Sequence, residues 1–171
     1  HTTRTPRPNE IDGKDYHFVS KEKFDLLIKN NNFYEHAKIF NNYYGTLKEP
    51  VINLLSDKID VLFDIDWQGT QQLKKIKDLE LVTFFILPPN IQILKKRLLD
   101  RHDGQKKIIL QRMNKFNEEV SHWNEYNYVV VNDDLEICYN KILNIIMSEK
   151  KGKKIAQNLS KTKKKIEELI N

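Results

Sequence analysis

The chain has 171 residues, which is enough for one domain or for a core with small inserted lobes. Hydrophobic residues make up 39% and charged residues 31%, a balance typical of a water-soluble domain with a packed core. No stretch approaches the ~20 apolar residues that a membrane-spanning helix needs. The single cysteine excludes an internal disulfide and a cysteine-rich zinc site.

The net charge of +5 is unevenly distributed along the chain. Residues 150–171 hold eight Lys and two Glu, which leaves a charge of −1 for all the preceding residues. Because the body is not basic, the overall charge does not predict nucleic-acid binding. The Lys-rich tail is interpreted as a solvated helix face, and binding of RNA through it stays open only as a third alternative.

The first 56 residues contain short elements of mixed type. After a loop-like start over residues 1–15, the pattern predicts strand, helix, strand, strand and helix in turn, at Tyr16–Val19, Lys21–Asn30, Phe33–Ala37, Tyr43–Tyr44 and Pro50–Leu55. This segment is therefore expected to form a small, partly antiparallel lobe.

Apolar strands alternate with helices in the rest of the chain. The predicted strands are Val61–Phe63, Leu81–Leu87 and Tyr128–Val131. The predicted helices are Gln68–Ile76, Ile91–Leu99, Lys106–Tyr126, Leu135–Met147 and a tail helix from Lys154. Strands that are apolar throughout indicate a parallel sheet covered on both faces. Ligands bind at the carboxyl ends of such strands, which directs attention to Asp64, Asp66, Pro88 and Asn132.

Two arginines of the first loop could bind one anion. Arg4 and Arg7 flank Pro6, and their planar guanidinium groups suit bidentate phosphate binding. Glu10 follows them, and the hydroxyl of Tyr16 would add another donor. A basic surface loop is the alternative, and these residues alone do not decide between the two.

Glu35 is an acid in an unusual place, directly after two aromatic residues of a predicted strand. A carboxylate can accept two hydrogen bonds from the N1–H and 2-amino edge of guanine, and adenine lacks that pair of donors. A site built on such bonds rejects the analogue that cannot make them. An ordinary acid at the end of a strand, next to a hairpin at 42–46, is the alternative.

Two further patterns are weaker when taken alone. Asp64 ends an apolar run and resembles a Walker B carboxylate that holds Mg²⁺, although a helix N-cap at Asp66 explains the same residues. Three arginines could converge on a transferring phosphoryl group, but a solvated helix end is the simpler interpretation of Arg97, Arg101 and Arg112.

Several segments, taken together, carry a more specific signal. They are TTRTPRP at 2–8, GKDY at 13–16, the segments 33–35, 42–46, 64–69, 88–89 and 96–98, Arg112 and the segment 129–132. In order and spacing, these segments resemble the guanylate kinase family, which transfers the γ-phosphoryl group of ATP to GMP. The resemblance covers nearly the whole chain.

The resemblance implies an α/β fold with a P-loop NTPase-like parallel sheet flanked by helices. It also implies a small mixed α/β GMP-binding lobe at 1–56, a core at 57–171 and a short lid at about 101–111. The implied cofactor is Mg²⁺ with ATP. GMP and ATP would be the partners, without nucleic acid or membrane, in the cytoplasm, and a homodimer stays open.

The resemblance also implies a role for individual residues. The GMP phosphate would be bound by Arg4, Arg7, Tyr16 and Tyr44, and guanine would be read by Glu35, Thr46 and Asp66. Asp64 would serve Mg²⁺, and Asn132 would lie beside adenine. The phosphates between the two nucleotides would be surrounded by Arg97, Arg101 and Arg112.

Two departures from the family pattern are visible in the sequence. The glycine-rich ATP loop and its strand would precede His1, so the folded protein is expected to have residues upstream. The lid reads Arg101-His102-Asp103-Gly104 in place of the usual Arg-Gly-Thr-Glu. The alternative function is a catalytically inactive guanylate-kinase-like module that binds a phosphopeptide or partner protein through the GMP lobe.

Overall fold

A computed structural model describes residues 1–101 and 106–170, with the side chain of Arg101 outside the description. The chain forms two compact units, His1–Leu81 and Val82–Asn171. The predicted lid at about 101–111 lies partly outside the described residues, and its described part, from Lys106 onward, is helical. No helix in the described ranges is both long and apolar enough to cross a membrane.

The first unit is built on an antiparallel hairpin and three helices. The hairpin consists of β1 (Phe33–Ile39) and β2 (Asn42–Leu47), and the helices are α1 (Lys21–Lys29), α2 (Lys48–Ser56) and α3 (Trp67–Leu73). The side chain of Ser20 caps α1 by accepting from the backbone N–H of Lys23. The core of this unit is apolar and consists of Phe24, Phe33, Ala37, Val51 and Leu73.

Two strands predicted in this part of the chain do not form. Tyr16–Val19 makes only isolated bridges, because the carboxylate of Asp12 takes the backbone N–H of Phe18 at 2.8 Å. Val61–Phe63 is irregular, and Leu62 within it is 90% exposed. A strand of that kind requires hydrogen-bonded neighbours, and no strand in the described ranges pairs with it.

The second unit contains a parallel pair of strands covered by helices. β3 (Phe84–Leu87) pairs with β4 (Tyr128–Val131) in parallel, which confirms the predicted orientation. The helices are α4 (Ile91–Arg101), α5 (Lys106–Ser121), α6 (Leu135–Glu149) and α7 (Leu159–Ile170). The predicted helix Lys106–Tyr126 is shorter than expected, because i→i−3 bonds turn its last residues into the 3₁₀ helix Trp123–Glu125.

Both faces of β4 are buried, as the uninterrupted apolar run predicts. One face packs in a cluster with helices α5 and α7, formed by Leu87, Phe116, Val120, Val129, Ile166 and Leu169. The other face packs against α6, in a cluster formed by Tyr128, Val130, Cys138 and Ile145. The α/β class is therefore confirmed, and the cysteine of the sequence, Cys138, is a core residue of α6.

Candidate functional site

Glu10 brings the two arginines of the first loop together. Its Oε1 lies 2.8 Å from Nη2 of Arg4 and 3.3 Å from Nη1 of Arg7, and its Oε2 accepts from the backbone N–H of Arg7 at 2.7 Å. These bonds, led by the one from Arg4, lower the pKa of Glu10 to about 2. The carboxylate therefore stays ionised and holds two guanidinium groups side by side.

Two tyrosines extend this arginine cluster. The guanidinium carbon of Arg4 lies 5.4 Å from the ring centre of Tyr16, within the range of a cation–π contact. The rings of Tyr16 and Tyr44 meet edge to face, 6.2 Å apart. The pKa of the Arg4 guanidinium is raised, first by the bond to Glu10 and further by Tyr44. Arg4, Arg7, Tyr16 and Tyr44 thus form one connected surface.

Glu35 is a buried carboxylate with a fixed orientation. It lies on β1, is 3% exposed, and its Oε1 accepts from the hydroxyl of Thr46 at 2.7 Å. Burial is the main cause that raises its pKa, and the charge of Asp66 raises it further, while the bond from Thr46 acts in the opposite direction. The family resemblance groups Glu35, Thr46 and Asp66 as the residues that read guanine. In the structure these three residues lie close to one another.

Asp66 caps helix α3 beside Glu35. Its Oδ1 accepts from the backbone N–H groups of Gln68 and Gly69 at 3.0 and 3.2 Å. Its Oδ2 accepts from the side-chain amide of Gln68 at 2.9 Å. The N-cap interpretation of Asp66 is therefore confirmed.

Strand β2 connects the arginine cluster with the buried carboxylate. Tyr44 and Thr46 are two residues apart on this strand, so their side chains leave the same face about 7 Å from each other. Tyr44 contacts the ring of Tyr16, and Thr46 bonds Glu35. One face of β2 thus contacts the arginine cluster at Tyr44 and the buried carboxylate at Thr46.

The second unit contains the predicted residues Arg97, Arg101, Arg112 and Asn132, while the exposed Asp64 lies in the first unit. Arg97 on α4 donates to the backbone carbonyl of Asn132 at 2.9 Å and to that of Asp133 at 3.2 Å. These carbonyls directly follow β4, so the contact brings Arg97 and Asn132 together. Arg112 is half-buried on α5, and the side chain of Arg101 lies outside the description.

Comparisons with known proteins show the family of the chain. The family model described as guanylate kinase matches residues 1–150. The guanylate kinases of Paramagnetospirillum magneticum and Rickettsia prowazekii are 47% and 50% identical to the chain, and each match covers 87% of it. These matches span 70% and 75% of the two relatives.

A crystal structure of guanylate kinase from Anaplasma phagocytophilum is also similar, with a TM-score of 0.71 and 34% sequence identity. The similarity covers 86% of this chain and 72% of that one. The chain belongs to the guanylate kinase family. Enzymes of this family are ATP:GMP phosphotransferases, so the predicted class of transferase and kinase is confirmed.

The sequence alone assigns no role to two residues near the candidate site, Glu10 and Gly69. Glu10 follows the two arginines along the chain, and in the structure it forms three hydrogen bonds with them. Gly69 belongs to one of the family segments, and in the structure its lack of a side chain leaves room for Glu35. A glycine in the first turn of a helix is the one local signal that could have indicated the second residue.

Proposed function

We propose that this guanylate kinase chain binds GMP in the unit His1–Leu81, along the face of β2 that carries Tyr44 and Thr46. The phosphate of GMP lies at the arginine cluster and the guanine lies at Glu35. The four phosphate-binding residues are Arg4, Arg7, Tyr16 and Tyr44. The residues that read guanine are Glu35, Thr46 and Asp66.

The buried carboxylate of Glu35 carries this proposal. Only 3% of the residue is exposed, and none of its hydrogen bonds comes from a basic side chain. A buried carboxylate is costly unless donors compensate it. The N1–H and 2-amino groups of guanine supply two such donors in the correct geometry, whereas adenine presents an acceptor at N1. Because the carboxylate is buried, a base that cannot donate to it leaves it unpaired, so the site should select guanine over adenine.

The arginine cluster supports the same orientation of the nucleotide. Glu10 accepts from one nitrogen of each guanidinium group, Arg4 also donates to the carbonyl of Thr5, and each guanidinium has five N–H donors in total. Donors therefore remain for the phosphate oxygens of GMP. Since Glu10 holds the arginines before the ligand arrives, little side-chain entropy is lost when the phosphate binds.

Residues of the second unit act on the transferring group in this proposal. Arg97, Arg101 and Arg112 surround the phosphates between the two nucleotides, and Asn132 lies beside adenine. Phosphoryl transfer needs in-line positioning and neutralised charge more than covalent chemistry, and arginines supply that charge. Because Arg97 is anchored on two backbone carbonyls, it has a defined starting position.

Asp64 is the carboxylate that we assign to Mg²⁺ bound with ATP. Its side chain is exposed, and Mg²⁺ typically binds one or two carboxylates together with phosphate oxygens and water. No group of three or more His, Cys, Asp or Glu in the described ranges could hold a metal ion by itself. The donor chemistry of one carboxylate therefore fits an ion that arrives with ATP and neutralises phosphate charge.

We propose the cytoplasm as the compartment.

The test combines an activity assay with a binding assay on the same protein. GMP-dependent formation of ADP from ATP and Mg²⁺ is expected, and AMP in place of GMP should give none. Trp67 directly follows Asp66, so its fluorescence should report GMP binding. GMP binding without ADP formation would favour the inactive interaction module instead.

Arg7→Ala is the variant that tests the phosphate site. Loss of charge-assisted bonds to phosphate should weaken GMP binding about 10- to 100-fold. Lys14→Ala is the matched control, because Lys14 is an exposed cation of the same loop. Unchanged GMP affinity in Arg7→Ala, or an equal loss in Lys14→Ala, would remove Arg7 from the site.

A further inference from the structure

Gly69 faces the carboxylate of Glu35 from helix α3. A Cβ atom at Gly69 would lie 2.6 Å from Oε2 of Glu35 and 3.2 Å from Cδ1 of Ile65. The first distance is shorter than real contacts of a Cβ atom, so one of the two groups would have to move. The flexible end of the Glu35 side chain is the group that can move. The absence of a side chain at Gly69 therefore decides where Oε2 lies.

Gln72 of α3 forms hydrogen bonds with the backbone of β1 next to Glu35. Its Oε1 accepts from the backbone N–H of His36 at 3.1 Å, and its Nε2 donates to the carbonyl of His36 at 2.7 Å. The N–H of His36 belongs to the peptide bond that follows Glu35. Gln72 thus fixes α3 relative to β1 at the residue that immediately follows the carboxylate.

Gly69 and Gln72 are three residues apart and therefore lie on the same face of α3. Thr46 holds Oε1 of Glu35 from β2, while this helix face determines the space available to Oε2. Resting on the proposed function, we infer that Gly69 and Gln72 are positioning residues for guanine selection. They set the distance between α3 and β1 at which both oxygens of Glu35 face the base.

The steric cost of a side chain at position 69 falls mainly on Glu35, because Oε2 of Glu35 is the nearest atom. Gly69 lies within α3, where alanine is the better helix former. Replacing it with alanine should therefore favour the helix and disturb mainly the carboxylate. Keeping glycine at this position is consistent with a requirement for the exact place of Glu35, and that requirement can be measured as base selectivity.

The first test compares GMP with inosine monophosphate, which keeps the N1–H but lacks the 2-amino group. The change Gly69→Ala should lower GMP affinity by about tenfold or more and lower the preference for GMP over inosine monophosphate. The turnover number at saturating GMP should change less than the KM for GMP. Thermal stability should change little, because the higher helix propensity of alanine offsets part of the cost of moving the Glu35 side chain. An unchanged nucleotide preference would overturn the inference.

The second test removes the two hydrogen bonds between the Gln72 side chain and the backbone of His36 by the change Gln72→Leu. The change Gln157→Leu is its matched control. Gln157 forms the same kind of clamp in the other unit, where its amide bonds the backbone N–H and C=O of Val129 at 3.0 and 3.2 Å. Both changes should lower the stability of the fold, but only Gln72→Leu should lower the preference for GMP. Equal nucleotide preference in the two variants would contradict a positioning role.

Glu35→Gln separates this inference from the proposed function. If that change leaves the preference for GMP intact, the guanine site itself is wrongly assigned. If it removes the preference while Gly69→Ala and Gln72→Leu keep it, only the positioning inference fails. If neither of these two variants folds, the contacts serve the fold itself, which also overturns a specific role in positioning.

Discussion

Glu10 and Glu35 are carboxylates of the same unit, yet their surroundings shift their pKa values in opposite directions. Bonds from two arginines and a backbone N–H lower the pKa of Glu10 to about 2. Burial raises the pKa of Glu35, and its one side-chain hydrogen bond comes from the neutral hydroxyl of Thr46. Charged donors compensate the first carboxylate, while the second is held in a buried place by Thr46.

The two ends of the proposed GMP site therefore work by different physical means. The arginine end attracts phosphate through charge, which is strong but the same for every nucleoside monophosphate. The Glu35 end depends on matched hydrogen bonds in a buried place, where a wrong base leaves polar groups unpaired. Affinity and selectivity are thus expected to respond to different substitutions.

The largest effect is expected for Glu35→Gln. The amide replaces one acceptor with a donor, so one guanine N–H loses its partner and faces another N–H. GMP affinity should fall about 100-fold, while the affinity for inorganic phosphate at the arginines should stay the same. Titration calorimetry with GMP and with phosphate checks both results. A parallel loss of phosphate binding would mean that the two ends are not separable.

A smaller, unselective effect is expected for Glu10→Gln. Arg4 and Arg7 remain, but the carboxylate that orders them is lost, so binding must fix two long side chains. The affinities for GMP and inosine monophosphate should fall by the same factor, about three- to tenfold. Unequal losses would show that Glu10 also acts on the base. Glu22→Gln, at an exposed position of the same unit, is the control.

The smallest effects are expected in the pH dependence of fold stability, to which Glu10 and Glu35 should contribute with opposite sign. The folded-state pKa of Glu10, about 2, lies below its ordinary value of 4.5, so its contribution to stability is present above about pH 4.5 and is lost as the pH falls towards about 2. The folded-state pKa of Glu35 is raised, so the folded state binds more protons near that pKa and stability falls as the pH rises through it.

Denaturant unfolding of the unchanged protein, Glu10→Gln and Glu35→Gln between pH 2 and pH 7 measures these slopes. Glu10→Gln should lose stability less steeply in acid than the unchanged protein. Glu35→Gln should gain stability relative to the unchanged protein as the pH rises above 4.5. The opposite order of the two variants would show that the assigned surroundings of the carboxylates are wrong.

Local pattern predicted most of the helices and the parallel pair of strands. The run Tyr128–Val131 forms β4 at the predicted bounds, as is typical of an uninterrupted apolar stretch in a sheet covered on both faces. The run Val61–Phe63 is also apolar throughout and does not form a strand. Composition describes the burial that a segment requires, but the hydrogen-bonded neighbour that makes it a strand is set by the rest of the fold.

The candidate site shows the same limit. The residue types of Arg4, Arg7 and Glu35 indicate their chemistry, so they could be proposed from the sequence. The contact between Gly69 and Glu35 and the clamp from Gln72 to His36 join residues more than 30 positions apart. A glycine in a helix can mark a close approach, but the local sequence does not identify its partner, because each contact depends on the distance between a helix and a strand.

The segment after residue 150 lies outside the range matched by the family model, yet it is tied to the second unit. Ile166 and Leu169 of α7 are buried in the same cluster as Val129. The amide of Gln157 occupies both backbone groups of Val129, on the side of β4 that does not pair with β3. An open strand edge invites pairing with another chain. Because the Gln157 side chain bonds these two groups as a neighbouring strand would, Val129 does not offer them to another chain.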